Sequence, residues 1–140
     1  MGATPDPRTH CQFAIALFHT GKIREAMGQY ASALLIQPDF PEALDGLAWI
    51  LATASNAEFR NAPEAVRMAE RACELTGRKD SAKLKTLAAA YAESGNFSQA
   101  ISTAQAAKEL ASNAGRAKLA EECERMVEGF RAGKAWRGVE

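Results

Sequence analysis

Three stretches of the chain repeat one pattern: Phe13-Ala14-(x)2-Leu17, Leu47-Ala48-(x)2-Leu51 and Leu87-Ala88-(x)2-Tyr91. Each is followed by a second signature, Glu25-Ala26, Glu64-Ala65 and Gln99-Ala100, with Ala33, Ala72 and Ala107 seven residues further on. Self-similarity at a period of about 34 residues, with two helix-periodic segments per period, restricts the fold to stacked helix pairs. One such pair leaves an apolar face uncovered, so each pair needs the next. The pattern points to a binding array rather than to a globular enzyme built around one site.

Local signals divide the chain into helices. Apolar residues at Phe13, Ile15, Leu17 and Phe18 predict a first helix from about Thr9, ended by Gly21. Ile23, Ala26, Met27, Tyr30, Ala33 and Leu34 form the inner stripe of a second, stopped by Pro38. Asp39, Pro41 and Glu42 predict a capping box at the start of a third helix, which runs to about Thr53. Residues 54–60 read as a lengthened loop. Asn61 and Glu64 repeat the capping pattern for a fourth helix, with Val66, Met68, Ala69, Ala72, Cys73 and Leu75 inward and Gly77 at its end. Asp80 or Ser81 caps a fifth, whose inner residues are Leu84, Leu87, Ala88 and Tyr91, and Gly95 closes it. Asn96 and Gln99 open a sixth, with Phe97, Ala100, Ile101, Ala104 and Ala107 inward. After Gly115 a seventh helix carries Leu119, Cys123, Met126, Val127 and Phe130. The tail from Gly133 is expected to fray, or to dock in a neighbouring molecule's groove through Trp136. No segment alternates as a strand does.

Composition narrows the ligand class. Seventeen basic and 17 acidic residues cancel, so no global field favours nucleic acid or an anionic membrane. Cys11, Cys73 and Cys123 lie far apart and lack CxxC spacing, which predicts buried, reduced thiols rather than a disulfide framework or a zinc site. The first eight residues do not read as a signal peptide, and the strongest apolar run, 47–54, is too short to cross a bilayer. A soluble, cytoplasmic protein is expected, either whole or cut from a larger chain, with no direct membrane insertion.

The residues Phe13, Ala14, Leu17, Gly21, Ile23, Ala26, Tyr30, Ala33 and Pro38 sit at the spacings of the tetratricopeptide repeat. Leu44, Leu47, Ala48, Leu51, Ala65 and Ala72 match a second time, and Leu84, Leu87, Ala88, Tyr91, Gly95, Phe97, Ala100 and Ala107 a third. The chain therefore resembles that family over residues 7 to about 114. Ala stands where the family usually has a small Gly at 14, 48 and 88, the middle unit is stretched by its 54–60 loop, and Pro38 has no counterpart at Gly77 or Ser112. The stretched unit resembles a variety common in bacterial multi-repeat proteins. The resemblance implies an all-α fold: a right-handed superhelical array of three helix-turn-helix repeats (about 7–40, 41–80 and 81–114). A capping helix (about 115–132) and a tail (133–140) complete a single domain spanning 1–140, with seven helices in total.

In that family the first helix of each pair lines a concave groove. The implied lining is Gln12, Ile15, Phe18 and His19, then Asp45, Trp49, Ala52 and Thr53, then Lys85, Ala89, Ala92 and Glu93. Trp49 has two readings, an exposed indole that anchors a partner or one packed on its own neighbours. Modules of the family that clamp acidic chaperone tails carry charged and amide residues where this chain has Cys11, Ile15, Gly46, Ala82 and Thr86. None of these supplies the charge-assisted donors a carboxylate needs, so that mode is rejected.

No catalytic constellation emerges. His10 and His19 lack a partner at metal-ligand spacing. His10 and Cys11 are sequential and point different ways on a helix. The run Glu121, Glu122 and Glu124 reads as a solvated face. No phosphate loop or nucleophile elbow is present. Arg131, Lys134 and Arg137 around Trp136 are too few for a membrane-surface segment. The expected function is a non-catalytic scaffold, without cofactor or metal, that holds a peptide or helix of another protein. The alternatives are a self-assembling module, with the first helix as its open end, and an assembly or regulatory domain of a larger membrane-associated enzyme.

Overall fold

In the computed structural model, which describes residues 6–138, seven α-helices follow one another and no strand forms among the described residues. They are α1 (Pro7–His19), α2 (Ile23–Ile36), α3 (Pro41–Thr53), α4 (Ala62–Leu75), α5 (Ser81–Glu93), α6 (Phe97–Asn113) and α7 (Ala117–Arg131), with a single 3-10 turn at Ala57–Phe59. Helices pack in the pairs α1·α2, α3·α4 and α5·α6, and α7 lies on α6. The first helices of successive pairs also touch, α1 on α3 and α3 on α5.

The helix ends follow local chemistry. Asp6 accepts the Arg8 amide at 2.9 Å, and Pro7 fills the first turn, so α1 starts two residues earlier than its apolar periodicity predicts. Asn61, Asp80 and Asn96 each accept first-turn amides, as their positions predict. Gly21, Gly77, Gly95 and Gly115 follow their helices with positive φ, the conformation that lets the chain reverse there.

One predicted cap is absent. Phe40 stands at the N-cap of α3 without a side-chain cap bond, and the Asp39 carboxylate instead takes a two-pronged guanidinium from Arg71 at 3.0 and 2.7 Å. A bidentate charge-assisted pair outcompetes a single amide for the same oxygens.

Alanines make the close contacts. Ala14, Ala26, Ala33, Ala48, Ala65, Ala72, Ala88, Ala100 and Ala107 are fully buried, which lets paired helices approach to the usual 8–10 Å or so. The large residues between them are sealed in the second and third units, where Leu47 and Leu87 are 8% and 1% exposed. Phe13, at the same repeat position, is 59% exposed, and Ile15 also faces solvent. Phe13 thus does not fill space between helices as Leu47 and Leu87 do, because among the described residues nothing stacks on that side of α1. At the other end α7 buries Met126 and Phe130 completely, with the Phe130 and Phe97 rings 6.4 Å apart. The three thiols are buried and unpaired.

The segments expected to be loose are tied down. In the 54–60 loop, Arg60 donates to the Ala54 and Ser55 carbonyls at 2.6 and 3.0 Å and pairs with Glu93 at 3.2 Å. The tail does not fray through residue 138. It turns at Gly133, tucks the half-buried Trp136 against the core, and donates the Gly138 amide to the Thr53 carbonyl at 2.9 Å. Arg137 reaches Glu93 at 2.8 Å. The groove it meets is its own, not a neighbour's. The last two residues of the predicted tail segment lie outside the described residues.

Candidate functional site

A pocket of about 310 Å³ with mostly apolar walls opens between the first helices of the three pairs. α1 contributes Ile15, Phe18 and His19; α3 contributes Glu42, Asp45, Gly46, Trp49 and Ile50; α5 contributes Ala82, Lys83, Lys85 and Thr86. Tyr30 reaches in from α2. The stacking of one helix per pair against the next puts these side chains on a common surface.

Six of the twelve residues expected to line a groove meet here: Ile15, Phe18, His19, Asp45, Trp49 and Lys85. The other six do not. Gln12 is exposed on α1 outside the pocket, and Ala52, Ala89 and Ala92 are buried in the core. Thr53 and Glu93 lie at the ends of α3 and α5, where the tail covers them. The half-buried Trp49 indole packs against the core and also walls the pocket. The Lys85 ammonium sits 4.3 Å above the indole ring, a cation–π contact.

Tyr30, Glu42, Ile50 and Lys83 lie outside the expected lining, whereas Gly46, Ala82 and Thr86 stand at the positions the family's clamp would use. Gly46 carried a signal: a glycine inside a helix costs about 1 kcal/mol against alanine, so its presence asks for a reason. The reason is Tyr30. A Cβ at position 46 would fall 2.3 Å from the tyrosine ring, so only glycine lets that ring lie across α3 and close the pocket. Burial pushes the Tyr30 hydroxyl up to about 12, and it stays neutral.

The charges are unevenly matched. Lys83 bonds Asp80 at 2.9 Å and stands 3.9 Å from Glu42. Lys85 bonds Glu122 of α7 at 3.0 Å. Asp45 lies between these pairs, and its Oδ1, sealed from solvent, finds no hydrogen-bond partner among the described residues. Desolvation raises the Asp45 carboxyl to about 6, against the lesser opposing pull of the Thr86 hydroxyl and the two lysines. An orphaned buried oxygen costs on the order of 1–3 kcal/mol, more when charged.

Among the described residues, no group of three or more His, Cys, Asp or Glu is placed to hold a metal ion. The His10 ring bonds Gln29 at 2.7 Å, away from the pocket. Burial raises the thiols of Cys11 and Cys73 to about 11, which leaves them unreactive at neutral pH. No described helix is long and apolar enough to cross a membrane. No family model matches this chain, and no curated protein is similar to it.

Proposed function

We propose that the chain is a tetratricopeptide-type scaffold, a right-handed superhelical array of three repeats and a capping helix, that holds a segment of a partner protein without catalysing a reaction. One observation carries this reading: the first helices of all three pairs share a single pocket walled by Phe18, Trp49 and Ile15. Half-exposed aromatics in a concave site are the usual anchors of a protein interface. A pocket of this size takes one or two side chains of a peptide rather than a folded domain. Affinity in the micromolar range, about −8 kcal/mol, suits so small an anchor.

The test is selection of random peptides on the immobilised chain, followed by measurement on the Phe18→Ala/Trp49→Ala double variant. Loss of binding with an unchanged melting profile supports the scaffold. Binding that persists in the folded double variant rejects it.

A second reading, self-association, is favoured by the exposed Phe13, Ile15 and Leu35, apolar side chains with no cover among the described residues. Light scattering across a dilution series separates the two. A concentration-dependent mass that Phe13→Asp abolishes would favour assembly.

A further inference from the structure

We infer that the pocket around Asp45 is a receptor for one basic side chain, arginine or lysine, projecting from a segment of the partner. This rests on the scaffold reading above and names the chemistry that the scaffold selects.

Four observations converge. Asp45 Oδ1 is buried and unpartnered, so the pocket holds an unmet demand for a donor. A turn about the soft carboxyl torsion of aspartate exchanges its two oxygens, so an arriving donor can meet either one. The local cations do not fill that demand, because Lys83 is bonded to Asp80 and Lys85 to Glu122. With Glu42 and Asp45 added, four carboxylates stand around two ammonium groups, and the balance favours an incoming cation. The walls of Ile15, Phe18 and Trp49 suit the aliphatic stem of a long basic side chain, which buries its methylenes while its charged head seeks an acceptor.

The fourth observation is the tail. Where it crosses the ends of α3 and α5 it is neither helix nor strand, it donates a backbone amide to the Thr53 carbonyl, and it sets Arg137 on Glu93. The helix surface therefore already holds a basic, irregular segment at one end. Asp45, just over two turns back along α3 from Thr53, presents a carboxylate on the same helix with one oxygen unpaired among the described residues. An acidic side chain would meet like charge at Glu42 and Asp45. A purely apolar one would seal the carboxylate further and deepen its desolvation cost.

A random dodecapeptide phage library, selected on the full chain and counter-selected on the Phe18→Ala/Trp49→Ala variant, tests this. We expect binders enriched in Arg or Lys at one fixed position. In the synthetic peptide, citrulline for that Arg, or norleucine for that Lys, should weaken binding at least tenfold. Asp45→Asn, an isosteric change, should cause a similar loss, and the two changes together should cost little more than either alone. The peptide replacement leaves the protein untouched, so its result does not depend on the variant folding. Binders that need Phe18 and Trp49 but show no basic preference, or that ignore both changes, overturn this inference and leave the scaffold standing. A library that yields no binder sensitive to the double variant removes both.

Discussion

The two ends of the helix array are finished differently. Phe13, Leu47 and Leu87 hold one repeat position, yet they are 59%, 8% and 1% exposed. The C-terminal end is closed by α7, whose Met126 and Phe130 have no solvent contact to speak of at 0% and 1%. In a stacked array a unit's sequence sets which residues point along the stack, but the adjacent unit decides whether they are buried. The cleft repeats the contrast at smaller scale: its Glu93 end is covered by the tail, and its Asp45 end is open.

The largest break in this comparison is removal of the closed end. Deleting residues after Asn113 strips α7 from α6 and exposes the surfaces that Phe130, Met126, Val127 and Cys123 cover. Each large side chain accounts for roughly 1.5–3 kcal/mol of burial, so the sum rivals the stability of a typical domain at about 5–15 kcal/mol. The truncated chain should aggregate or lose cooperative melting, as seen by calorimetry and near-ultraviolet circular dichroism. A monomeric product that melts cooperatively would mean that α7 is ornamental and that both ends are alike.

The next test compares equivalent positions. Leu87→Ala should cost about 2–5 kcal/mol in urea titration, because the cavity it leaves is enclosed. Phe13→Ala should stay within about 0.5 kcal/mol, as expected for an exposed site. Comparable losses at the two positions would show that Phe13 is covered in solution, and by mass action the loss would then depend on protein concentration.

What the sequence disclosed follows from the same distinction between local and distant causes. Helix ends were legible because Asn61, Asp80 and the glycines act on backbone within a few residues of themselves. The burial of Phe13 is not legible locally, because it depends on an element stacked over α1 and no described element lies there. Asp39 was misjudged because Arg71, 32 residues away, claims its carboxylate. In the pocket, Ile15, Phe18, His19, Asp45, Trp49 and Lys85, with the clamp positions Gly46, Ala82 and Thr86, are recoverable from repeat register. Tyr30 crosses from α2, and Glu42, Ile50 and Lys83 sit at positions that register alone does not single out. The orphaned Asp45 oxygen is visible only once every neighbour's partner is known.

Asp45 gives a pH test of the open half of the cleft. Its folded-state value of about 6 lies above the ordinary 3.8. The folded protein therefore holds a proton that the unfolded chain releases between those values. Stability from this group is fully present below about pH 4 and is lost as pH rises through 6, a penalty of at most about 3 kcal/mol at pH 7. Asp39, Glu64, Asp80 and Glu124 are held low by their bases and slope the other way. The informative quantity is therefore the difference between variants. Asp45→Asn should be more stable than the parent at pH 7, with the gap closing towards pH 4. If the parent is the more stable at pH 7, the carboxylate is partnered in solution and the open half is not open.

The smallest expected effect concerns the covered half. Arg137 and Arg60 share Glu93, at 2.8 and 3.2 Å, and the Arg137 side chain is 38% exposed. Ion pairs of that exposure contribute about 1 kcal/mol or less. Arg137→Ala should barely move the unfolding midpoint, because Arg60 still neutralises Glu93. It should loosen the tail itself, where the Gly138 amide depends on a single bond to the Thr53 carbonyl. Amide exchange at Gly138 should quicken severalfold while exchange in α5 stays unchanged, a local opening below the global one. Unchanged protection at Gly138 would assign the hold on the tail to Trp136 instead, and Trp136→Ala would then be the substitution that uncovers the Glu93 end.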